Sequence, residues 1–384
     1  MVLTGRLRAM REAGFRVTLL SAPGELAENL ARDEGAELLR VPMERAIAPW
    51  ADLVSWFRIW RALRRLRPDV VEFSTPKAGL LGLTAAFFAR VPHRIYLLRG
   101  LKLERSRGFK RWLLLTAEKC TAACAQCVLC NSISLRMETE DLRIAPERKL
   151  RVLGAGSSRG VDIEHFSPGP TEIRRQFDIA PEVPVLGFVG RLTRDKGLPE
   201  LLVAFDAILR KHPEAMLLLV GWFDASEDAL DSVVRDRIES HPRILCTGYV
   251  VDPAPYYRAM DIFILPTWRE GFPNAVLEAA ATGVPVITTL STGARDAVVP
   301  EVTGLLVPPG YPEAICEAVS RLLKNEETCR RMGSAARAWV TEHFVDHHII
   351  NLTIAFYKGL IGGHAPVVSN ASREAAMDSA SASQ

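Results

Sequence analysis

The chain has 384 residues, of which 48% are hydrophobic and 24% are charged, as is ordinary for soluble globular proteins. This length is long for one hydrophobic core and sufficient for two domains. No apolar run reaches the roughly 18 residues that a membrane-spanning helix needs, and arginines interrupt the first segment where a signal peptide has its apolar core. We therefore expect a cytoplasmic protein.

Strands and helices alternate through the first part of the chain. The predicted elements are, in order, a helix over residues 1–14, a strand over 15–20, a basic helix that contains residues 56–67, a strand over 69–73, a helix over 80–89 and a strand over 94–98. Lys77 lies in the turn before the helix at residue 80, and Arg99 directly follows the strand over 94–98. This alternation predicts a doubly wound parallel sheet.

The first part of the chain is also basic. Through residue 167 there are 28 Lys and Arg against 18 Asp and Glu, a net charge of +10, and the remainder has 20 against 27, or −7. Residues 56–67 and 105–112 mix aromatic and basic side chains, which favours an anionic membrane surface as a partner and a location on the inner face of the cell membrane. A solvated polar face over a core stripe is the alternative. We expect no nucleic-acid partner, because no binding motif accompanies the charge.

Four cysteines lie close together, namely Cys120, Cys124, Cys127 and Cys130. Their spacing resembles a metal-binding pattern. However, the first three are predicted on one helix and the fourth in the following strand, so the four thiolates would not converge on one ion. We expect them to be small buried residues.

The proline-rich stretch 168–184 has no clear core stripe and is predicted to link a first domain, 1–167, to a second, 185–342. The predicted strands of the second domain are 183–189, 216–220, 243–246, 261–265, 284–288 and 304–307, and its helices are 198–211, 274–282, 312–324 and 326–342. A last helix is predicted over 343–362. The tail, 363–384, is rich in Ser and Ala and is expected to be disordered.

Two cations follow the first strand of the second domain. Gly190 and Arg191 end the strand over 183–189, and Lys196 lies in the same loop. Open parallel sheets bind ligands at the carboxyl ends of their strands. The two cations could therefore neutralise a diphosphate, although two exposed cations in a turn are the alternative interpretation.

A second loop, between the strand over 261–265 and the helix over 274–282, brings two carboxylates to a helix amino terminus. Glu270 precedes the helix and Glu278 lies within it, in otherwise apolar surroundings. A helix amino terminus suits phosphate groups, and a carboxylate can accept hydrogen bonds from two sugar hydroxyls. The stretch therefore predicts a nucleotide-sugar site, whereas a solvated loop Glu and a polar-face helix Glu are the alternatives.

Together these residues resemble a known family. Gly190-Arg191 with Lys196-Gly197, and Glu270-Gly-Phe-Pro-Asn274 with Glu278, are similar to the pattern of retaining glycosyltransferase family 4, over residues 3 to 362. The resemblance implies the GT-B fold, with two Rossmann-like domains facing a cleft and a last helix that crosses back to the first domain. It implies that Arg191 and Lys196 contact the donor diphosphate, Glu270 the donor sugar, and Glu278 the ribose. The donor contacts expected from the same motifs also include Gly190, Gly271, Phe272 and Asn274.

No Asp-x-Asp pair occurs in the sequence. Since such pairs hold the metal that binds a donor diphosphate in other glycosyltransferases, we expect neither a metal nor another cofactor.

The sequence departs from the family pattern at two places in the first domain. The family normally has a strand and a glycine-containing loop before the helix over 1–14, so the first domain is expected to lack its first strand or the start to be placed too late. Many members also have a His-Gly pair where this chain has Arg99-Gly100, and that His is associated with the reacting sugar. Arg99 is therefore expected at the catalytic centre.

The segments around Lys77 and Arg99 look most similar to the branch that builds capsule, O-antigen and protein-linked glycans on polyprenyl carriers. Lys77 and Arg99 could then face the diphosphate of a lipid-linked glycan acceptor. The alternatives are a soluble GT-B transferase acting on a small acceptor, and a nucleotide-sugar-binding protein without catalysis.

Overall fold

The structure is a computed structural model, and it describes residues 3–44, 48–157 and 159–363. The chain divides into two compact units. The first unit contains the described residues up to Arg159 and those from His347 onward, and the second is Gly160–Asp346. From residue 364, the tail that we predicted to be disordered lies outside the described residues.

The chain of the first unit alternates helices and strands up to residue 151. The elements are α1 (Arg6–Glu12), β1 (Thr18–Ser21), α2 (Glu25–Glu34), β2 (Glu37–Arg40), α3 (Pro49–Leu66), β3 (Val70–Ser74), α4 (Pro76–Phe88), β4 (His93–Leu98), α5 (Gly108–Cys124), β5 (Cys127–Cys130), α6 (Ile133–Asp141) and β6 (Leu150–Arg151).

The second unit continues the same alternation, and one further helix follows it. The elements are α7 (Ile173–Gln176), β7 (Val185–Val189), α8 (Leu198–Leu209), β8 (Met216–Val220), α9 (Ser232–Ser240), β9 (Ile244–Cys246), α10 (Ala254–Tyr257), β10 (Ile262–Leu265), α11 (Asn274–Ala281), β11 (Val286–Thr289), β12 (Gly304–Val307), α12 (Pro312–Lys324), α13 (Glu326–His343) and α14 (Asp346–Ile361). From His347 onward, α14 belongs to the first unit.

The first unit has two parallel sheets. One contains β1 and β2, and the other has the order β3-β4-β5-β6. Alternate residues of a strand point to opposite faces, and the core follows this rule: Tyr96 and Val128 pack with α3 to α6, whereas Leu97 and Leu129 pack with α14. Helices therefore cover both faces of the larger sheet, as the doubly wound class requires.

The second unit has one parallel sheet of six strands in the order β12-β11-β10-β7-β8-β9. The chain runs outward from β7 to β9 and then returns to β10 on the other side of β7. Neighbouring strands β7 and β10 therefore form the topological switch point, where open α/β sheets bind ligands. The predicted α/β class with two Rossmann-like units is confirmed.

The segment that we predicted as a linker, 168–184, lies inside the second unit. It contains α7, and Ile173 and Ile179 are buried. The Arg174 guanidinium binds the Asp261 carboxylate at 2.7 Å and also donates to the Ala259 carbonyl. The prolines of this segment thus belong to a packed, ion-paired part of the unit.

The first helix is shorter than predicted. Residues 3–5 form a turn, α1 starts at Arg6, and it ends at Glu12, two residues before Gly14. No helix among the described ranges is long and apolar enough to cross a bilayer.

Candidate functional site

The loops that follow β7 and β10 pack against each other at the switch point of the second unit. The Trp268 backbone N–H donates to the Asp195 backbone carbonyl at 3.0 Å, and the Thr267 hydroxyl donates to the same oxygen at 3.2 Å. Gly197 ends the first loop with φ 77°, and a Cβ atom there would lie 2.0 Å from the Pro266 carbonyl oxygen. Because only glycine allows this approach, the sequence fixes the distance between the two loops.

This packing brings together three of the residues that were predicted from the sequence. The Lys196 ammonium forms an ion pair with the Glu270 carboxylate, and both side chains are largely buried. The Glu270 charge also acts on Arg191, which lies on the same loop as Lys196. Two cations and one carboxylate therefore share the carboxyl ends of β7 and β10.

Arg191 is held from both sides by acids. Its guanidinium donates to Asp224 at 2.5 Å and lies 3.7 Å from Asp195. Burial alone would lower the pKa of Arg191, but the hydrogen bond with Asp224 and the neighbouring negative charges raise it overall. The same hydrogen bond holds the pKa of Asp224 below its ordinary value. The cation is thus oriented before any ligand is bound.

A network of residues that were not predicted from the sequence supports these groups. Asp195 is buried, accepts a hydrogen bond from the Thr193 hydroxyl at 2.6 Å, and lies 3.3 Å from Arg269. Arg269 also reaches Asp228 at 3.4 Å. Asp195 and Arg269 lie next to Lys196 and Glu270 in the sequence. Their positions just after the ends of strands could therefore have indicated that they belong to the site. Asp224 and Asp228 follow β8. They lie near the site because β8 is the neighbour of β7 in the sheet, and the sequence alone does not give this strand order.

The helix amino terminus predicted as an anion site is that of α11. Among the described residues, no side chain caps this end of the helix, and its N-cap is Pro273. The Glu270 backbone N–H donates to the Thr292 carbonyl at 3.0 Å. Gly293 lies close to the same loop, since a Cβ atom on Gly293 would be only 2.4 Å from the Gly271 carbonyl oxygen. The loop is therefore held by backbone contacts, and Asn274 begins the helix behind it.

Phe272, which we predicted as a donor contact, has a different role for its ring. The side chain is buried and packs against Phe344 at a ring-centroid distance of 5.2 Å. This aromatic contact anchors the loop to the end of α13. That Phe272 contacts the donor stays a prediction.

Glu278 lies on α11 and has its own partner. The buried Tyr257 hydroxyl donates to Glu278 Oε2 at 2.9 Å. Burial, together with the Glu278 charge, raises the pKa of Tyr257 well above its ordinary value, so Tyr257 stays a donor. The sequence held no signal for this contact, because Tyr257 comes from the short helix α10.

The two acceptor-side candidates lie in the first unit. Lys77 falls in the first turn of α4 and not in the preceding turn as predicted, and its ammonium binds Asp52 at 2.6 Å. Arg99 follows β4, is exposed, and lies within the influence of the charges of Glu72 and Arg6.

The cysteines of the first unit do not assemble into a metal site. Cys127, which we predicted on the helix, lies with Cys130 on β5; both are buried, and burial raises the pKa of their thiols to about 11 and about 12. Cys120 is exposed and Cys124 is only partly buried, so the prediction of four buried cysteines was wrong for these two. In the described part of the chain, no group of three or more His, Cys, Asp or Glu residues is placed to hold a metal ion.

Comparison with solved structures defines the class to which this architecture belongs. HepE of Anabaena in complex with UDP-glucose matches with a TM-score of 0.77 and 20% identity, over 93% of this chain and 95% of HepE. Sucrose-phosphate synthase of Thermosynechococcus elongatus matches with a TM-score of 0.76 and 22% identity, over 93% and 92%. The fold is that of the GT-B glycosyltransferases.

Sequence comparison then gives the family. Residues 3–156 match the family described as "Glycosyl transferase 4-like domain", and residues 183–325 match "Glycosyl transferases group 1". The capsular polysaccharide biosynthesis glycosyltransferase CapM of Staphylococcus aureus is 34% identical over 344 residues, which cover 89% of this chain and 90% of CapM. The chain belongs to the group 1 glycosyltransferases.

Two further relatives differ in what their names say they use. A GDP-mannose-dependent alpha-mannosyltransferase of Mycobacterium tuberculosis is 30% identical, over 89% of this chain and 90% of that protein. The UDP-Gal:alpha-D-GlcNAc-diphosphoundecaprenol alpha-1,3-galactosyltransferase of Escherichia coli is 26% identical, over 77% and 76%.

Proposed function

We propose that this glycosyltransferase moves a sugar, with retention of its anomeric configuration, from a nucleotide-diphosphate sugar to a hydroxyl group of a polyprenyl-diphosphate-linked glycan. The observation that carries the proposal is the ion pair of Lys196 with Glu270 beside Arg191, at the switch point of a parallel sheet. Retention is implied by the resemblance to family 4.

The proposed chemistry depends on charge that develops on the leaving group. The bond between the sugar C1 and the donor phosphate oxygen breaks, and negative charge develops on the departing nucleotide diphosphate. A bond from the acceptor oxygen to C1 forms as the acceptor hydroxyl gives up its proton, for which the departing phosphate oxygen is the proposed acceptor. Arg191, Lys196 and the amino terminus of α11 would stabilise that charge, because oriented donors stabilise a transition state without reorganising. These cations supply the positive charge, so we propose that no metal ion is required.

Glu270 and Glu278 are proposed to hold the hydroxyl groups of the donor. Lys196 and the backbone contact with Thr292 fix Glu270 in place for the sugar. The hydrogen bond from Tyr257 occupies one oxygen of Glu278 and orients the carboxylate for the ribose. In this proposed arrangement Glu270 binds the sugar, the two cations bind the diphosphate and Glu278 binds the ribose, which is the order of these groups along the donor.

The lipid-linked acceptor is supported by the names of the relatives and by the charge of the first unit. CapM is named for capsular polysaccharide biosynthesis, and the Escherichia coli relative for a diphosphoundecaprenol acceptor. Lys77 and Arg99 are proposed to face the acceptor diphosphate. A peripheral location at the inner face of the cell membrane would bring the protein to such an acceptor.

The test is a donor screen with purified protein. UDP- and GDP-activated hexoses and N-acetylhexosamines are supplied with a diphosphoundecaprenol-linked sugar or with water-soluble sugars, and nucleotide release and glycan product are both measured. We expect a lipid-linked product whose anomeric configuration matches that of the donor. Inversion would refute retention, and a product on soluble sugars alone would favour the small-acceptor alternative.

Variants separate catalysis from binding. Arg191→Met and Glu270→Gln should each lower the transfer rate by about 100-fold or more, whereas Arg330→Met, at an exposed position on α13, should leave it unchanged. Transfer at the parent rate by both site variants would refute the site. Nucleotide binding by the parent without any transfer would favour the non-catalytic alternative. For the acceptor, Lys77→Ala or Arg99→Ala should raise the apparent Michaelis constant for the lipid.

A further inference from the structure

Helix α3 has an apolar stripe that faces away from its core. Trp50, Leu53, Val54 and Phe57 recur at the helical spacing i, i+3, i+4 and i+7, and their exposed fractions are 83%, 57%, 49% and 51%. The opposite side of the same helix is buried through Ile59 and Leu63. A helix that covers a core normally presents polar residues on its other face. In the first half of α3 that outer face is apolar, and packing of the core does not explain it.

The two neighbouring helices also have exposed aromatic residues. Helix α4 packs against both α3 and α5, and the ring of Trp56 on α3 meets that of Phe88 on α4 at 5.8 Å. Phe87 and Phe88 are exposed at the end of α4. At the start of α5 the spacing i, i+3 and i+4 recurs in the exposed residues Phe109, Trp112 and Leu113. We refer to these exposed residues of the three helices as the α3–α5 face.

The charge on these helices has one sign. The exposed cations are Arg58, Arg61, Arg64 and Arg65 on α3 and Lys110 and Lys119 on α5. The three helices contain only two acidic residues, and neither is exposed. Asp52 is ion-paired with Lys77, and Glu118 is buried and accepts a hydrogen bond from Tyr96. A partner for this surface must therefore tolerate aromatic side chains and supply negative charge.

We propose that the α3–α5 face docks on the surface of an anionic lipid bilayer. Exposed aromatic rings beside arginines fit the boundary between acyl chains and phosphate head groups, and each cation near an anionic surface adds to the attraction. The rings of Trp50, Phe57 and Trp112 enter the interface, and the arginines of α3 bind lipid phosphates. The α3–α5 face would be the part of the protein that contacts the membrane in the peripheral location proposed above. This proposal does not depend on sugar transfer, because binding to lipid is measured without a donor.

The test is co-sedimentation of the full chain with vesicles of phosphatidylcholine alone and of phosphatidylcholine mixed with phosphatidylglycerol. We expect binding to the mixed vesicles, weakened by salt, and little binding to phosphatidylcholine. Replacing both Trp50→Ser and Phe57→Ser should weaken binding by about tenfold or more. Each of Arg58→Gln and Arg61→Gln should weaken it by about fivefold.

Matched controls remove exposed residues elsewhere. Val233→Ser and Val251→Ser change apolar residues of the second unit that are 77% and 90% exposed, and Arg175→Gln changes an exposed cation there. These variants should bind vesicles as the parent does. As an independent readout, brominated lipid should quench the fluorescence of the parent more than that of a Trp50→Phe, Trp112→Phe variant.

Two results would overturn the proposal. One is equal binding of the parent and the Trp50, Phe57 double variant to anionic vesicles. The other is a parent chain that does not bind vesicles but forms a dimer in sedimentation velocity, with the dimer lost in the same double variant. That second result would assign the α3–α5 face to another copy of the chain.

Discussion

Lys196→Met tests the candidate site most directly, because methionine keeps an unbranched side chain, shorter by one atom, and removes the charged ammonium. Without the ammonium, the Glu270 carboxylate stays largely buried and loses its ion-pair partner. Breaking a buried pair costs about 3–5 kcal/mol. Since both side chains keep some exposure and Arg191 still acts on Glu270, we expect the second unit to lose about 2 kcal/mol of unfolding free energy.

Nucleotide affinity should change by a separate amount. A hydrogen bond between a cation and a phosphate contributes about 1.5–3 kcal/mol, so UDP or GDP should bind the Lys196→Met variant about 10- to 100-fold more weakly. The double variant Lys196→Met, Glu270→Gln removes both charges. It should therefore regain most of the lost stability while its nucleotide affinity stays low.

Thermal unfolding and calorimetric titration with UDP and GDP measure the two effects on the same samples. Lys324→Met, at the exposed end of α12, is the matched control and should change neither quantity. The reasoning is wrong if the parent binds one of these nucleotides and Lys196→Met binds it equally well. It is also wrong if the double variant recovers affinity together with stability, because Lys196 would then act only as the partner of Glu270.

Two other predictions concern stability. Burial raises the pKa of Glu118 to about 7 from an ordinary 4.5, and the Tyr96 hydrogen bond opposes part of the rise. Between pH 4.5 and 7 the carboxyl therefore ionises in the unfolded chain but stays protonated in the folded one, so the unfolding free energy should fall by about 3 kcal/mol over this range. Glu118→Gln should remove that pH dependence in urea unfolding at pH 4.5 to 8, and an unchanged slope would contradict the assignment. Gly197→Ala should cost at least about 2 kcal/mol more than Gly248→Ala, because both positions have positive φ but only the first Cβ would meet backbone, at Pro266. Equal losses in unfolding free energy would show that the close approach is unimportant.

The elements were predictable where apolar runs are short and bounded. The strands expected over 94–98, 216–220 and 304–307 appear as His93–Leu98, Met216–Val220 and Gly304–Val307. Buried strands of a parallel sheet are continuous apolar runs, so composition alone marks them. The prolines of 168–184 did not indicate that this segment is packed, since proline reports on backbone conformation and not on whether the neighbouring isoleucines are buried.

The members of the site were easier to predict than their contacts. Arg191, Lys196 and Glu270 follow the ends of strands, which is information that a sequence contains. Their meeting depends on β10 lying beside β7, a pairing across more than seventy residues that no local pattern specifies. The hydrogen bond between Tyr257 and Glu278 and the burial of Phe272 were missed for the same reason, because both depend on how distant helices pack.

The first unit is discontinuous in sequence, and this has a consequence for synthesis of the chain on the ribosome. Tyr357 of α14 donates to Glu72 and accepts a hydrogen bond from Arg6 at 3.1 Å, and its helix covers Leu97 and Leu129 of the sheet. All of these partners are translated before the second unit, yet they remain uncovered until α14 emerges. Nascent domains generally fold in order of translation. Here the second unit can fold before the first is complete, so chains truncated before α14 should be sensitive to proteases within residues 70–130 and protected within the second unit.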